Sequence, residues 1–272
     1  MQKSYSIGYP EESHFPALKK LWKDVFGDSE KVINNFFDKT SKNENVFCAF
    51  YGDEPVSVMY AVESNIFLQN AEYKAYYVYA VCTKKEHRGK SLMKKVFSFL
   101  ESKARKRSVS YLFLVPAEES LFSLYESIGF SVAFVNKETL IKKSVSKTRS
   151  FSSRNLSYEE YKTLREKYIN VPQAILSASG FNSFYAPVGA NMKCVSVDEG
   201  YALYEKENGK VIVHEFCGEK ETLLSAVFYA AEVDELVLRE QANSCGKPYG
   251  MVKSIDGSPV FENGFFGISY GG

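Results

Sequence analysis

The chain has 272 residues, enough for one large domain or two small ones, and either can bury a sizeable core. Hydrophobic residues make up 45% and charged residues 25%, which excludes a disordered tail, a collagen-like repeat and a coiled coil. With 34 basic against 33 acidic residues, the net charge of +1 gives no global pull toward nucleic acid or anionic membrane. Aromatic residues are abundant, with 19 Tyr and 21 Phe, a leaning toward β-structure and deep pockets. No apolar run reaches the roughly 18 residues of a membrane span, and MQKSYSIGYPEESHF carries no signal-peptide core. The five cysteines (Cys48, Cys82, Cys194, Cys217, Cys245) contain no C-x-x-C pair, and His14, His87 and His214 are far apart. No metal site, disulfide framework or Ser/His/Asp triad is therefore expected, and a reduced, cytoplasmic protein is.

In chain order, residues 4–8 are read as a short strand. Phe15, Leu18, Leu21, Trp22, Val25 and Phe26 recur at helical spacing. Gly27-Asp28-Ser29 breaks this helix, and Asp28 or Ser29 can cap a second one through Val32, Ile33, Phe36 and Phe37. That aromatic face is core, or in part the wall of a substrate pocket. Three strands follow, at Val46–Tyr51, Val56–Phe67 and Tyr73–Thr83, the last apolar nearly throughout and so expected in the middle of a sheet. From Ser91 the period turns helical, through Leu92, Val96, Phe99, Leu100 and Ala104. Tyr111–Val115 is a strand stopped by Pro116. Glu118–Ser127 is a short helix ending at Gly129, and strand resumes over Phe130–Val135 and Lys137–Lys142. Residues 1–143 thus read β-α-α-β-β-β-α-β-α-β, an α/β (α+β) domain with a mixed central sheet flanked by helices.

The chemistry centres on the passage from the third of these strands into a helix. The loop Lys85-Glu86-His87-Arg88-Gly89-Lys90-Ser91-Leu92 is basic and contains one glycine. A helix N-terminus offers unpaired N–H groups and a partial positive charge, and glycine lets an anion approach the backbone closely. A phosphate or pyrophosphate fits such a device, although a plain strand-to-helix turn has the same look. Neither G-x-x-x-x-G-K-[ST] nor G-x-G-x-x-G is present.

Ala80-Val81-Cys82-Thr83 followed by Glu86-His87-Arg88-Gly89-Lys90-Ser91-Leu92-Met93 resembles the acetyl-coenzyme A motif of the GNAT superfamily of N-acetyltransferases, (Gln or Arg)-x-x-Gly-x-(Gly or Ala). Leu121-Phe122-Ser123-Leu124-Tyr125-Glu126-Ser127-Ile128-Gly129-Phe130 resembles the family's second signature, a short helix ending in Tyr-x-x-x-Gly-Phe. Glu86 and Ser91 depart from the first pattern, which bears on cofactor affinity. The resemblance implies acetyl transfer from acetyl-CoA, as co-substrate, to a primary amine of a small molecule or peptide. It places the pantetheine arm beside Val81, Cys82 and Thr83, the pyrophosphate on amides of Arg88, Gly89, Lys90, Ser91 and Leu92, and Tyr125 as the acid that protonates the departing thiolate. Cys82 is then a buried bystander or a nucleophile. Glu63, Glu118 and Glu119 are the carboxylates near the expected cleft, none with a motif that marks it as a base. A scaffold that senses an acyl-CoA or an amino-acid-like ligand without turnover is the alternative.

Residues 144–156 are Ser-rich and read as a linker. Beyond them, Tyr158–Ile169 reads as a helix, Val195–Lys206 and Val211–Phe216 as a hairpin around Glu207-Asn208-Gly209, Glu219–Glu232 as a helix, and Asp234–Arg239 and Pro248–Lys253 as strands. The order echoes the first half, but acidic Gly218-Glu219-Lys220-Glu221 replaces the basic glycine loop. Residues 157–272 are therefore expected to be a degenerate GNAT-like half that binds no cofactor and walls the substrate cleft, or an unrelated α+β accessory domain. A monomer or homodimer is expected, with neither membrane nor nucleic acid as partner.

Overall fold

A computed structural model describes residues 3–39, 43–143, 156–185, 192–207, 209–242 and 246–267. The expected linker lies outside these, apart from its last residue, Leu156, which is buried. The first half follows the expected order without exception: β1 (Tyr5–Gly8), α1 (Phe15–Phe26), α2 (Glu30–Lys39), β2 (Val46–Tyr51), β3 (Glu54–Leu68), β4 (Ala71–Thr83), α3 (Leu92–Lys106), β5 (Tyr111–Leu114), α4 (Phe122–Glu126) and β6 (Ser131–Lys142). The two strand segments expected after Gly129 are the single strand β6.

The second half contains α5 (Tyr158–Tyr168), β7 (Gln173–Leu176), α6 (Ala178–Tyr185), β8 (Lys193–Val197), β9 (Gly200–Glu207), β10 (Lys210–Cys217), α7 (Lys220–Ala231), β11 (Glu235–Gln241) and β12 (Lys247–Ser254). Two corrections arise here. The segment read as one strand, Val195–Lys206, is a hairpin that turns at Asp198-Glu199. Gly200 at its start is obligatory, since a Cβ there would lie 2.6 Å from the Cys217 carbonyl oxygen. Residues 173–185, left unassigned in the sequence, form β7 and α6. These are too short to show a period, and they fold by packing: β7 takes over the edge of β3 beyond the reach of β2.

All twelve strands belong to one sheet, ordered β1-β2-β3-β4-β5-β12-β6-β11-β10-β9-β8, with β7 on β3. The sheet does not stop at the expected boundary near residue 143. β4 and β5 run parallel, as do β10 and β11, while β12 lies antiparallel between β5 and β6. Apart from β1 and β7, the order is symmetric about the β12–β6 pair, and the last strand of each half lies with the other: β12 lines β5, and β6 lines β11. Both faces are apolar, as the sequence of β4 requires. Tyr77 and Cys82 point to the side of α1, α2, α5 and α6, and Tyr76 and Val78 to the side of α3 and α4. A third apolar cluster gathers under α7. Among the described residues no helix is long and apolar enough to cross a membrane.

Candidate active site

The site is made by strands that part. β4 pairs with β5 only from Ala75–Tyr111 to Tyr77–Phe113. Just beyond, β4 gains one extra residue against β3, since Tyr60 faces Tyr79 but Val58 faces Cys82. Ala80 sits in this bulge with φ +47, a left-handed conformation that alanine holds at a cost of about 1 kcal/mol or more. The bulge turns β4 away from β5. Val78 to Val81 then face Leu114 to Ala117 across a cavity of about 790 Å³. Trp22 and Phe26 of α1 line it, so the first aromatic helix is core along Leu18 and Leu21 and pocket wall at its end.

β4 then delivers the chain to the tip of α3. A single helical turn at Lys85–His87 precedes Gly89, with φ +74, and Ser91, the N-cap residue, with φ +55. Ser91 makes no side-chain capping bond, so the first-turn amides have no side-chain cap. The amides at this tip are those of Ser91 through Lys94, so Met93 and Lys94 join the expected set. The side chains of the loop are engaged elsewhere. Arg88 Nε donates to the Thr83 carbonyl at 3.1 Å, and Lys90 Nζ to the Tyr5 hydroxyl at 2.8 Å. Lys84 pairs with Glu54, and His87 Nδ1 lies 2.8 Å from the Tyr5 hydroxyl. Glu86 is exposed and does not plug the tip. The tip lies at the same end of β4 as the cavity, although residues 88–92 are not part of the cavity wall.

Of the remaining expected residues, Val81 lines the cavity, while Cys82 and Thr83 do not. The Cys82 side chain packs into the core beside Tyr60, and burial pushes its thiol up to about 12. It holds its proton at neutral pH, as a buried bystander would. Thr83 bonds Ser57 Oγ at 2.7 Å. Tyr125 sits on α4 at the cavity, edge-on to Phe97 and Phe130. Its carbonyl accepts from the amides of Ile128 and Phe130, which fixes the turn at Gly129. Burial pushes the phenol up to about 12, so it stays a proton donor at physiological pH. Glu118 and Glu119 line the cavity; Glu63 is exposed on β3 and does not.

Four wall residues come from the second half and carried no signal in the sequence: Arg239 on β11, and Lys247, Pro248 and Tyr249 on β12. They arrive because β12 lies beside β5, a neighbour relation no local pattern encodes. The second half has its own bulge at His214 in β10, just where β10 and β11 stop pairing. Its helix tip is closed, however: the Glu219 carboxylate accepts from the amides of Glu221 at 3.0 Å and Thr222 at 2.7 Å. A carboxylate of the chain itself occupies the place an anion would take. Among the described residues no group of His, Cys, Asp or Glu side chains is arranged to hold a metal ion.

Comparison with known proteins agrees with this geometry. Residues 6–133 match the family model described as an acetyltransferase (GNAT) domain. No curated protein matches the chain in sequence. Among solved structures, a GCN5-related N-acetyltransferase from Kribbella flavida superposes with a TM-score of 0.71 at 12% identity, over 92% of this chain and 71% of that one. Another, from Anabaena variabilis, gives 0.74 at 10% identity, over 93% and 73%. Saccharomyces cerevisiae N-myristoyltransferase with bound myristoyl-CoA gives 0.56 at 7% identity, over 92% and 82%. At these identities the likeness is one of fold, and it extends across both halves. Residues 6–133 thus carry a GNAT acetyltransferase domain, and the chain as a whole has the acyl-CoA N-acyltransferase fold.

Proposed function

We infer that the protein transfers an acetyl group from acetyl-CoA to a primary amine, of a small molecule or a peptide, by direct attack. The observation that carries this reading is the joint geometry of β4: its unpaired, bulged edge opens onto the Tyr125 cavity, and its end leads to a helix tip with no side-chain cap. The uncapped amides of Ser91 to Lys94 suit a diphosphate, and Gly89 leaves the approach open. The open edge at Val78–Val81 suits an amide-bearing arm, which adds to it as a strand would. The thioester then lies between β4 and β5, below Tyr125.

The acceptor nitrogen attacks the thioester carbon, and the C–S bond breaks. The thiolate takes the proton of the Tyr125 hydroxyl, and the nitrogen gives up its own proton to water or to Glu118 or Glu119 at the cavity mouth. Backbone N–H groups of the β4 bulge donate to the oxyanion in this reading. Cys48, Cys82, Cys194 and Cys217 are buried thiols, in keeping with a reducing cytoplasm. The test is calorimetric titration with acetyl-CoA, followed by a thiol-release assay over a panel of amines. Binding with amine-dependent thiol release is expected. Binding without release for every amine assigns the protein to ligand sensing instead.

A further inference from the structure

The cavity wall changes sign across the sheet. On the β5 side it carries Glu118 and Glu119; beyond, it carries Lys247 on β12 and Arg239 on β11. Arg239 is held rather than loose. Its Nε and Nη2 donate to Glu138 Oε1 at 3.1 and 2.8 Å, and its Nη1 donates to His214 Nδ1 at 3.0 Å. Three of the five guanidinium N–H groups are thereby used to orient the side chain, which forms an ion pair with Glu138 and lies 5.6 Å from the Tyr249 ring centre, and at most two are left for a partner. Lys247 is exposed and makes no ion pair among the described residues. Both cations come from strands on the far side of β5 from β4, whereas the expected diphosphate site follows β4 at the tip of α3. Adjacent strands are about 4.8 Å apart. β12 is one step from β5 in the sheet and β11 three steps, so the strands that carry the two cations lie about 5 and 14 Å beyond the strand that borders the thioester slot.

Given the acetyl-transfer reading, on which this rests, we propose that the acceptor is an amine carrying a carboxylate at the far end of an extended chain, an ω-amino acid or a short peptide. The amine enters between the carboxylates of Glu118 and Glu119 and the thioester; the anionic end is seated by Lys247 and Arg239. The degenerate half therefore supplies substrate recognition, through strands β11 and β12. A diamine or polyamine fits the acidic side and is repelled by the basic one.

The test compares Nα-acetyl-lysine, its C-terminal amide and cadaverine, which share a terminal amine and differ at the other end. Affinity is read by calorimetry on the full chain, and turnover by thiol release from acetyl-CoA. Nα-acetyl-lysine is expected to bind, and to show kcat/KM, at least tenfold better than its amide or cadaverine. Lys247→Glu, an exposed position that folding tolerates, inverts that ratio, and Arg239→Gln narrows it. Equal or better binding of the amide or the diamine overturns the proposal, as does the absence of binding by all three. Thiol release supported by cadaverine alone overturns it and leaves acetyl transfer standing. Tenfold selective binding with no thiol release from any amine upholds the anion seat and overturns acetyl transfer.

Discussion

Tyr125 and Gly89 test the two ends of the reacting geometry. The Tyr125 phenol, pushed up to about 12 by burial, is protonated at neutral pH. Tyr125→Phe keeps the ring packed against Phe97 and Phe130 and removes only the proton. It is expected to lower kcat by about a hundredfold, the usual scale for a general acid, with acetyl-CoA affinity changed less than threefold. Steady-state kinetics beside calorimetry check both numbers. Gly89→Glu sets a carboxylate beside the uncapped tip of α3 and forces a side chain into φ +74. Acetyl-CoA affinity is expected to fall more than tenfold, and stability by about 1–2 kcal/mol; titration and thermal melting check the pair. At this scale the sequence displayed the loop and the tyrosine, because both belong to continuous motifs. It could not display that Arg88 and Lys90 turn back onto Thr83 and Tyr5, since side-chain direction follows from the fold around the loop.

Elements of strong period were legible, and those defined by their neighbours were not. α3 announces itself from Leu92 to Ala104, and only the burial of Phe97 in place of Phe99 differs from the expected face. β7, four residues long, exists because the edge of β3 was vacant. α5 looks like a surface helix, EEYKTLREKY, yet Arg165 within it is fully buried. Its Nη1 lies 2.9 Å from Glu215 Oε2, its Nε donates to Gln173, its Nη2 donates to the Ala174 carbonyl, and its guanidinium stacks 4.5 Å over Phe265. Tyr201 donates to the other Glu215 oxygen. The partner lies far along the chain, so nothing local marks the pair. Glu215→Gln leaves a buried guanidinium uncompensated and is expected to cost about 3–5 kcal/mol by urea unfolding. Replacing both charges by apolar residues of similar size is expected to cost far less.

The exchange of β6 and β12 ties the halves into one sheet, which the sequence reading, built from two successive patterns, did not anticipate. Residues 1–143 alone leave β5 without its β12 neighbour, and residues 157–272 alone leave β11 without β6. Each fragment is expected to be insoluble or molten when expressed separately, and the full chain to unfold in a single transition, as dichroism and calorimetry would record. The buried acids set the alkaline limit. Burial raises Tyr125, Tyr111 and Tyr249 to about 12 from 10.0, and Cys82 and Cys217 to about 12 from 9.0. A folded-state pKa above the unfolded one favours the native state below the unfolded value and withdraws that support as pH climbs toward the folded one. The melting temperature is therefore expected to hold up to about pH 9 and to fall steeply between about pH 9 and 12.

The interleaving also has a consequence for biosynthesis. The wall that carries Lys247 and Tyr249 can form only after residues 247–254 have left the ribosome, long after Tyr125 and the α3 loop have emerged. A nascent or prematurely terminated chain therefore holds Tyr125 and the α3 loop but lacks the β11–β12 side of the cavity, and it must keep the β5 edge sheltered while it waits. Completion of the cavity is thus postponed until β12 has been translated, and a chain cut short before it leaves the β5 edge bare.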